Sequence, residues 1–399
     1  EILERKRREP APAPSTLVPG IPPALDELCA ALLSIDPAAR PTGDEILRRL
    51  QVAQPAAADH GYTAPHSFIG RKKELATLDS AFADSRRGQA VTVQVHGESG
   101  VGKSFLVRHF LETITRAVPE TVLLCGRCYE RELVPYKAVD GVVDQLSRYL
   151  AQLPEAEARA LLPRNLQLVA KLFPVLEPMA ALAPTALAAP EDPVVLRTRA
   201  FLALRELLRG IAQRAPLVLM IDDLQWADTD SFVLLGELLR LPEPPPLLLL
   251  TTVRQSSGVL DGDRALAQSR LPGDVRSLLI GKLPAAEARE LVQLLLASPA
   301  EDGAEVAALI AQEAKGHPLF IDELVRQRRL PGQQGASLRL DDALWARVRK
   351  LDPPARQLLE AVAVAGAPIA QEVIASAAAV SPEQFDALTA QLRAAHLVR

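Results

Sequence analysis

Cysteine is scarce: Cys29, Cys125 and Cys128 are the 3 found in 399 residues. They are too few and too clustered for a disulfide framework and suit a reducing compartment. Long apolar runs are missing as well, since none approaches the ~18 residues that span a bilayer. The first residues, Glu1 to Arg8, are charged rather than signal-like. The expected location is therefore cytoplasmic. An excess of basic charge is also absent. The net charge of -4 and pI near 6.0 exclude a broad basic surface that would hold nucleic acid without sequence preference. Zinc needs four ligands, and neither a second Cys pair nor His-x-x-His accompanies Cys125-Gly126-Arg127-Cys128. Both thiols, at the end of an expected core strand, read as buried and inert, with a redox role as the lesser alternative. No Ser/His/Asp arrangement and no solenoid-like repeat is visible.

What is present is length and apolar content: 399 residues with 48% hydrophobic residues can build two or three domains with real cores. Glu1 to Pro23 is charged and then Pro-rich, so it should be extended. From Ala24 to Leu50, helical spacing predicts two helices joined by a proline-bounded loop, and residues 51–66 read as linker. Strands and helices then alternate, the pattern of a doubly wound parallel sheet over 67–283. The expected strands are Val91–His96, Thr121–Gly126, Leu217–Asp222, Leu247–Val253 and Arg276–Ile280. Helices are expected at Lys103–Arg116, Lys137–Gln152, Val194–Gln213 and Asp230–Arg240, with Leu176–Pro193 a loose helical insertion on the surface. Residues 284–336 turn all-helical and read as a lid. Residues 337–399 give three more amphipathic helices, the first carrying Trp345, Val348 and Leu351. Trp226 and Trp345 are expected to pack in a core or against the lid. The chain starts at Glu1 rather than Met, and its last segment reads as unfinished. A piece of a longer polypeptide is the expectation.

The chemistry concentrates after the first strand. Gly97-Glu98-Ser99-Gly100-Val101-Gly102-Lys103-Ser104 fits G-x-x-x-x-G-K-[ST] between an apolar strand and a helix. In that setting glycines let backbone N–H groups turn toward phosphates, and the helix N-terminus favours negative charge. Lys103 is placed to reach the β- and γ-phosphates, and Ser104 to ligate magnesium. The expected ligands are ATP and Mg2+. Leu217 to Ile221 forms a second apolar strand, ending in Asp222 and Asp223. Asp222 would hold the metal through water, and Asp223 could orient an attacking water. Asp223 is shorter than glutamate, which argues against fast hydrolysis. Arg254, ending Thr251-Thr252-Val253-Arg254, could sense a γ-phosphate. Pro318 of Gly316-His317-Pro318 could lie against adenine, with Phe68, Ile69 and Arg71 of Phe68-Ile69-Gly70-Arg71 as the opposite wall.

Together these motifs, with Ile221-Asp222-Asp223-Leu224-Gln225-Trp226-Ala227-Asp228 and Gly316-His317-Pro318-Leu319-Phe320, resemble the signal-transduction ATPases with numerous domains (STAND), of the origin-recognition-like AAA type. The resemblance covers about Ser67 to Arg329. It implies a P-loop NTPase α/β sheet domain, a helical lid, and then the start of an all-α winged-helix-like domain at 337–399. Residues 1–50, through Asp36-Pro37-Ala38-Ala39-Arg40-Pro41, resemble the last helices of a protein-kinase C-lobe. The catalytic kinase motifs are absent from this stretch, so it cannot phosphorylate anything alone. The combination is similar to bacterial serine/threonine kinases fused to an AAA ATPase and followed by helical repeats. The implied function is a slowly hydrolysing ATP switch that regulates an attached kinase. Partners would be ATP or ADP, the kinase and the helical repeats, with no membrane and no direct nucleic acid. Two rivals stay open: a nucleotide-bound scaffold that does not hydrolyse, and an ATP-dependent transcription regulator whose DNA-binding domain lies outside these residues.

Overall fold

The computed structural model describes residues 68–129, 134–184, 192–254, 271–296, 303–328, 351–365 and 370–394, together with 11–16, 21–35 and scattered positions in 39–49, 339–349 and 397–398. Two compact units divide the chain, Glu1–Ser67 and Phe68–Arg399. In the first, α1 (Pro23–Leu32) starts at a proline, whose fixed φ suits a helix's first position. Asp26 accepts hydrogen bonds from Ser15 N and Ser15 Oγ, both at 2.7 Å, and so fastens the preceding turn. Arg40, expected in a kinase-like setting, donates from Nε to Ser34 O at 3.0 Å. Of the second expected helix, Glu45, Ile46 and Arg49 are described and helical, while the linker at 51–66 lies outside the described residues.

The second unit contains α2 (Lys72–Arg86), β1 (Val91–Gly97), α3 (Lys103–Ala117), β2 (Val122–Arg127), α4 (Lys137–Gln152), α5 (Glu155–Leu161), α6 (Leu166–Leu172), α7 (Glu177–Ala180), α8 (Pro193–Ala212), β3 (Leu217–Asp222), α9 (Thr229–Leu238), β4 (Leu247–Arg254) and β5 (Asp274–Leu279). The helices α10 (Ala285–Leu296), α11 (Gly303–Glu313), α12 (Pro318–Arg328), α13 (Pro353–Ala365), α14 (Gln371–Ala377) and α15 (Pro382–Ala394) follow. The strands form one sheet in the order β2-β3-β4-β1-β5, with every neighbouring pair parallel. A parallel sheet needs helical crossovers, which cover both faces and explain the unbroken apolar runs of β3 and β4. Alternate residues part to opposite sides. Leu217, Leu219 and Ile221 pack with α4, α6 and α8 on one face. Val218 and Met220 join α2, α3 and the odd-numbered valines of β1 on the other.

The structure departs from the sequence expectations in several elements. Helix α2 precedes the first strand, although Leu75, Leu78 and Phe82 already fall at i, i+3 and i+7, the spacing that would have found it. Short helices α5, α6 and α14 were also not expected, because pieces of about two turns carry too few apolar positions to show a period. The stretch from Leu176 is not loose at its start: Leu176 is fully buried and Ala180 nearly so, both in the main core. Trp345 is 56% exposed rather than packed, whereas Trp226 lies half-buried against the core. Helices α10, α11 and α12 share a core of their own around Ile310, Ile321 and Leu324, and residues 351–394 share another around Leu358, Ile374 and Leu392.

The register places the chemistry at one end of the sheet. Gly97 lies beside Arg254, Val95 beside Thr252, and Arg127 beside Asp222. The carboxyl ends of β1, β2, β3 and β4 therefore lie side by side, the place where open parallel sheets bind ligands.

Candidate functional site

The phosphate-loop sequence turns between β1 and α3 through two left-handed glycines, Gly100 at φ 80° and Gly102 at φ 97°. A side chain at either would be strained, so glycine is a backbone requirement here. Gly102 caps α3 without a side-chain hydrogen bond, which leaves the helix's first N–H groups to the loop and to any ligand. Lys103 is buried, and its Nζ donates to Gly97 O at 2.7 Å and Glu98 O at 2.8 Å. At His96, one residue before the loop, burial pushes the imidazole pKa down, and the nearby Lys103 charge pushes it further.

Asp222 ends β3 opposite the start of α3. Its two oxygens accept from Ser104 Oγ at 3.1 and 3.3 Å. Thr252 Oγ1 donates to Asp222 Oδ1 and accepts from Asp223 N at 2.9 Å, so one hydroxyl on β4 fixes both acidic positions. Thr252, which the sequence offers only as part of the motif ending in Arg254, is thus a further residue of the site. Its signal was present in the register, because a polar side chain buried at the end of an apolar strand needs a partner.

Asp223 sits in left-handed backbone at φ 58°, which turns its carboxylate off the strand line. Arg127 Nη2 donates to Asp223 Oδ2 at 3.1 Å, and Gln225 Nε2 to Oδ1 at 3.0 Å. Burial opposes the Arg127 charge, but the Asp223 carboxylate outweighs it and raises the guanidinium pKa. Gln225 Oε1 in turn accepts from Arg254 N at 2.9 Å. Arg127 and Gln225 were thus further site residues that spacing did not reveal. Arg127 stands within the Cys-x-x-Cys stretch, of which Cys128 is buried. Cys125 is only half-buried, with burial pushing its thiol pKa up. Cys125 floors an open groove between α3 and the edge strand β2, with Leu123 and Met220 beside it and Ser104 and Asp222 at one end.

Arg254 reaches the phosphate loop: its Nη2 donates to Ser99 Oγ at 3.0 Å. From the helical side, His317 meets Ser99 O at 3.1 Å through Nε2. A carbonyl only accepts, so Nε2 carries the proton. Arg71 is buried, and its Nη2 donates to Gly281 O and to Val101 O, which ties the β5–α10 connection to the loop. Its guanidinium is therefore occupied by main-chain carbonyls rather than facing an open wall. Phe68 stacks at 4.2 Å on His109 and at 5.8 Å on Phe105, both on α3. Ile69 is half-buried beside it, and Pro318 begins α12, half-buried.

The first three strands, the glycine turn and the paired Ser104 and Asp222 lie in one stretch of known kind. Residues 67–250 match the AAA ATPase domain family. The chain is also 32% identical over 199 residues to an uncharacterized protein of Rhizobium meliloti (strain 1021), covering 47% of this chain and 19% of that protein. A second relative is the hybrid signal transduction histidine kinase G of Dictyostelium discoideum, 27% identical over 178 residues, 43% of this chain and 5% of that one. The chain thus spans less than a fifth of the curated relatives it matches. Among solved structures, it is similar to a STAND protein with a tetratricopeptide repeat sensor from Pyrococcus horikoshii, at 16% identity and a TM-score of 0.40, covering 77% of this chain and 36% of that one. It is likewise similar to the Aeropyrum pernix ORC1 protein in complex with DNA, at 16% identity and a TM-score of 0.41, covering 83% and 85%. The AAA ATPase domain match takes in the phosphate loop, Arg127, Asp222 and Asp223. Thr252, Arg254 and His317 come from beyond its end.

Proposed function

We propose that residues 68–328 bind ATP with magnesium at the carboxyl end of the sheet and use the nucleotide to set the arrangement of α10 to α12 relative to it. The observation that carries this is the meeting of Ser104 and Asp222 at the N-terminus of α3, beside the buried Lys103. The residues fit the ligand: a glycine turn with positive φ at Gly100 and Gly102, an N-cap without a side-chain bond, and a hydroxyl–carboxylate pair at hydrogen-bonding distance. Ser104 and Asp222 would hold magnesium, which supplies a Lewis acid for phosphoryl transfer. Lys103 exchanges its two loop carbonyls for phosphate oxygens, a charge-assisted and hence stronger partnership. Arg254 supplies a guanidinium for the terminal phosphate, and Pro318 with Phe68 and Ile69 forms the base surface. Asp223 orients water for hydrolysis.

Calorimetric titration tests the site. Lys103→Ala should weaken Mg-ATP by roughly 10- to 100-fold, the worth of one hydrogen bond to a charged group. Unchanged affinity would remove the site assignment.

A second reading has its own observation. Asp223 is engaged by both Arg127 and Gln225, which favours a nucleotide-bound scaffold that hydrolyses negligibly. Single-turnover phosphate release separates the two: a rate equal to that of Asp222→Ala supports the scaffold. The finer role, control of an attached serine/threonine kinase, draws its support from the kinase-like pattern of residues 1–50 and would be a property of a longer polypeptide containing them. Kinase motifs preceding Glu1 in that polypeptide would support it, and a DNA-binding segment after Arg399 would support a transcription regulator instead.

A further inference from the structure

Ser99 occupies a position that the phosphate-loop pattern leaves variable, yet two separate elements converge on it. Arg254, the last residue of β4, donates to its hydroxyl at 3.0 Å, and His317, at the start of α12, donates to its carbonyl at 3.1 Å. The contact between loop and helix is close on its own terms. A methyl group at Gly100 would lie 2.9 Å from His317 Cε1 and from Leu319 Cβ and Cδ2. The helix start is itself fixed from the sheet side. Leu283 N donates to Gly316 O at 2.8 Å, and a side chain at Gly316 would strike Leu283 O at 2.2 Å. His317 is buried and its ring stacks on Phe320 at 4.3 Å, so it is a pre-set donor rather than a swinging one.

We propose that Ser99 is a positioning residue that sets the preference for a nucleoside triphosphate over a diphosphate, by tying Arg254 and the first turn of α12 to one point of the phosphate loop. The inference rests on the ATP-binding reading above. A neutral hydroxyl is a weaker acceptor for a guanidinium than a phosphate oxygen. A triphosphate can therefore draw Arg254 away from Ser99, and a diphosphate offers no third phosphate to do so. When Arg254 leaves, Ser99 keeps its tie to His317 and loses its tie to β4. The loop then stays joined to the helical segment while its link to the end of β4 is gone. The hydroxyl competes with the terminal phosphate, and the carbonyl passes the outcome on.

Two measurements on the full chain test this. In calorimetry with ADP and ATPγS, Ser99→Ala should raise the preference for ATPγS at least threefold, because Arg254 no longer gives up a hydroxyl partner. An unchanged or reduced preference overturns the proposal. In hydrogen exchange without nucleotide, His317→Ala should speed amide exchange in both the loop, 97–104, and α12. His317→Gln, which keeps a donor near the Nε2 position but has no ring to stack on Phe320, should restore slow exchange. Acceleration confined to α12, or a Gln variant as fast as Ala, assigns the contact to ring packing and overturns the proposal. The exchange measurement needs no nucleotide, so it tests the tie between Ser99 and α12 separately from the ATP-binding reading that Lys103→Ala tests.

Discussion

At the residue scale, the site is a set of side chains whose charges are already spoken for. Arg127 and Asp223 pair at 3.1 Å, with their side chains 55% and 29% exposed. A pair this exposed contributes less than ~1 kcal/mol to folding. Its consequence lies in the chemistry, because carboxylate oxygens that already accept from Arg127 and Gln225 have fewer lone pairs left to orient an attacking water. Arg127→Ala is therefore expected to leave stability within ~1 kcal/mol by denaturant titration. The same variant should raise single-turnover phosphate release by roughly 3- to 10-fold, part of the range that a general base can contribute. Release that stays at the wild-type rate would place Asp223 outside the hydrolytic step. Asp223 is legible in the sequence from its place after an apolar strand. Arg127 is not, because an ion pair between residues 96 apart in sequence leaves no local trace.

At the element scale, two crossings hold the site loops. Helix α4 passes β2 at a glycine pair, where a methyl at Gly141 would lie 3.1 Å from Gly126 Cα and one at Gly126 3.1 Å from Val142 Cγ2. Backbones that approach this closely leave no room for a larger residue. Gly141→Val should cost about 1 to 3 kcal/mol in denaturant unfolding, as overpacked sites do. An unchanged midpoint would mean that α4 can move away from β2 freely. Asp228 makes the other crossing. It caps α9 by accepting from Ser231 N, and it also accepts from Tyr136 N at the start of α4. Burial alone would raise its pKa, but the Ser231 hydroxyl and the backbone N–H groups outweigh this and hold the carboxyl below its ordinary value. The conspicuous Trp-Ala-Asp ending of the acidic motif is thus partly a structural fastening between two helix starts.

At the scale of the whole molecule, Phe68–Arg399 is compact by itself, and no helix of the described residues is long and apolar enough to cross a membrane. Deleting residues 1–67 should therefore leave the unfolding midpoint of the remainder unchanged and its Mg-ATP affinity within about twofold of the full chain, since every residue of the site belongs to Phe68–Arg399. A large loss of either would show that the first unit helps to build the site.

Much of this architecture was legible beforehand. Strands β1 to β4 and the long helices α3, α4, α8 and α9 follow from apolar runs and 3.6-residue spacing, and the phosphate loop follows from a pattern whose glycines are dictated by backbone angles. Those are local properties, so the sequence determined them alone. Strand order is not local, and only tertiary packing brought β4 between β3 and β1. That placement sets Thr252 against Asp222 and Arg254 against Ser99, and the helical segment adds His317 from more than two hundred residues away. Hydrogen bonds and ion pairs act over a few ångströms regardless of separation along the chain. The sequence therefore carried the chemical groups of the site, and the fold decided which of them meet.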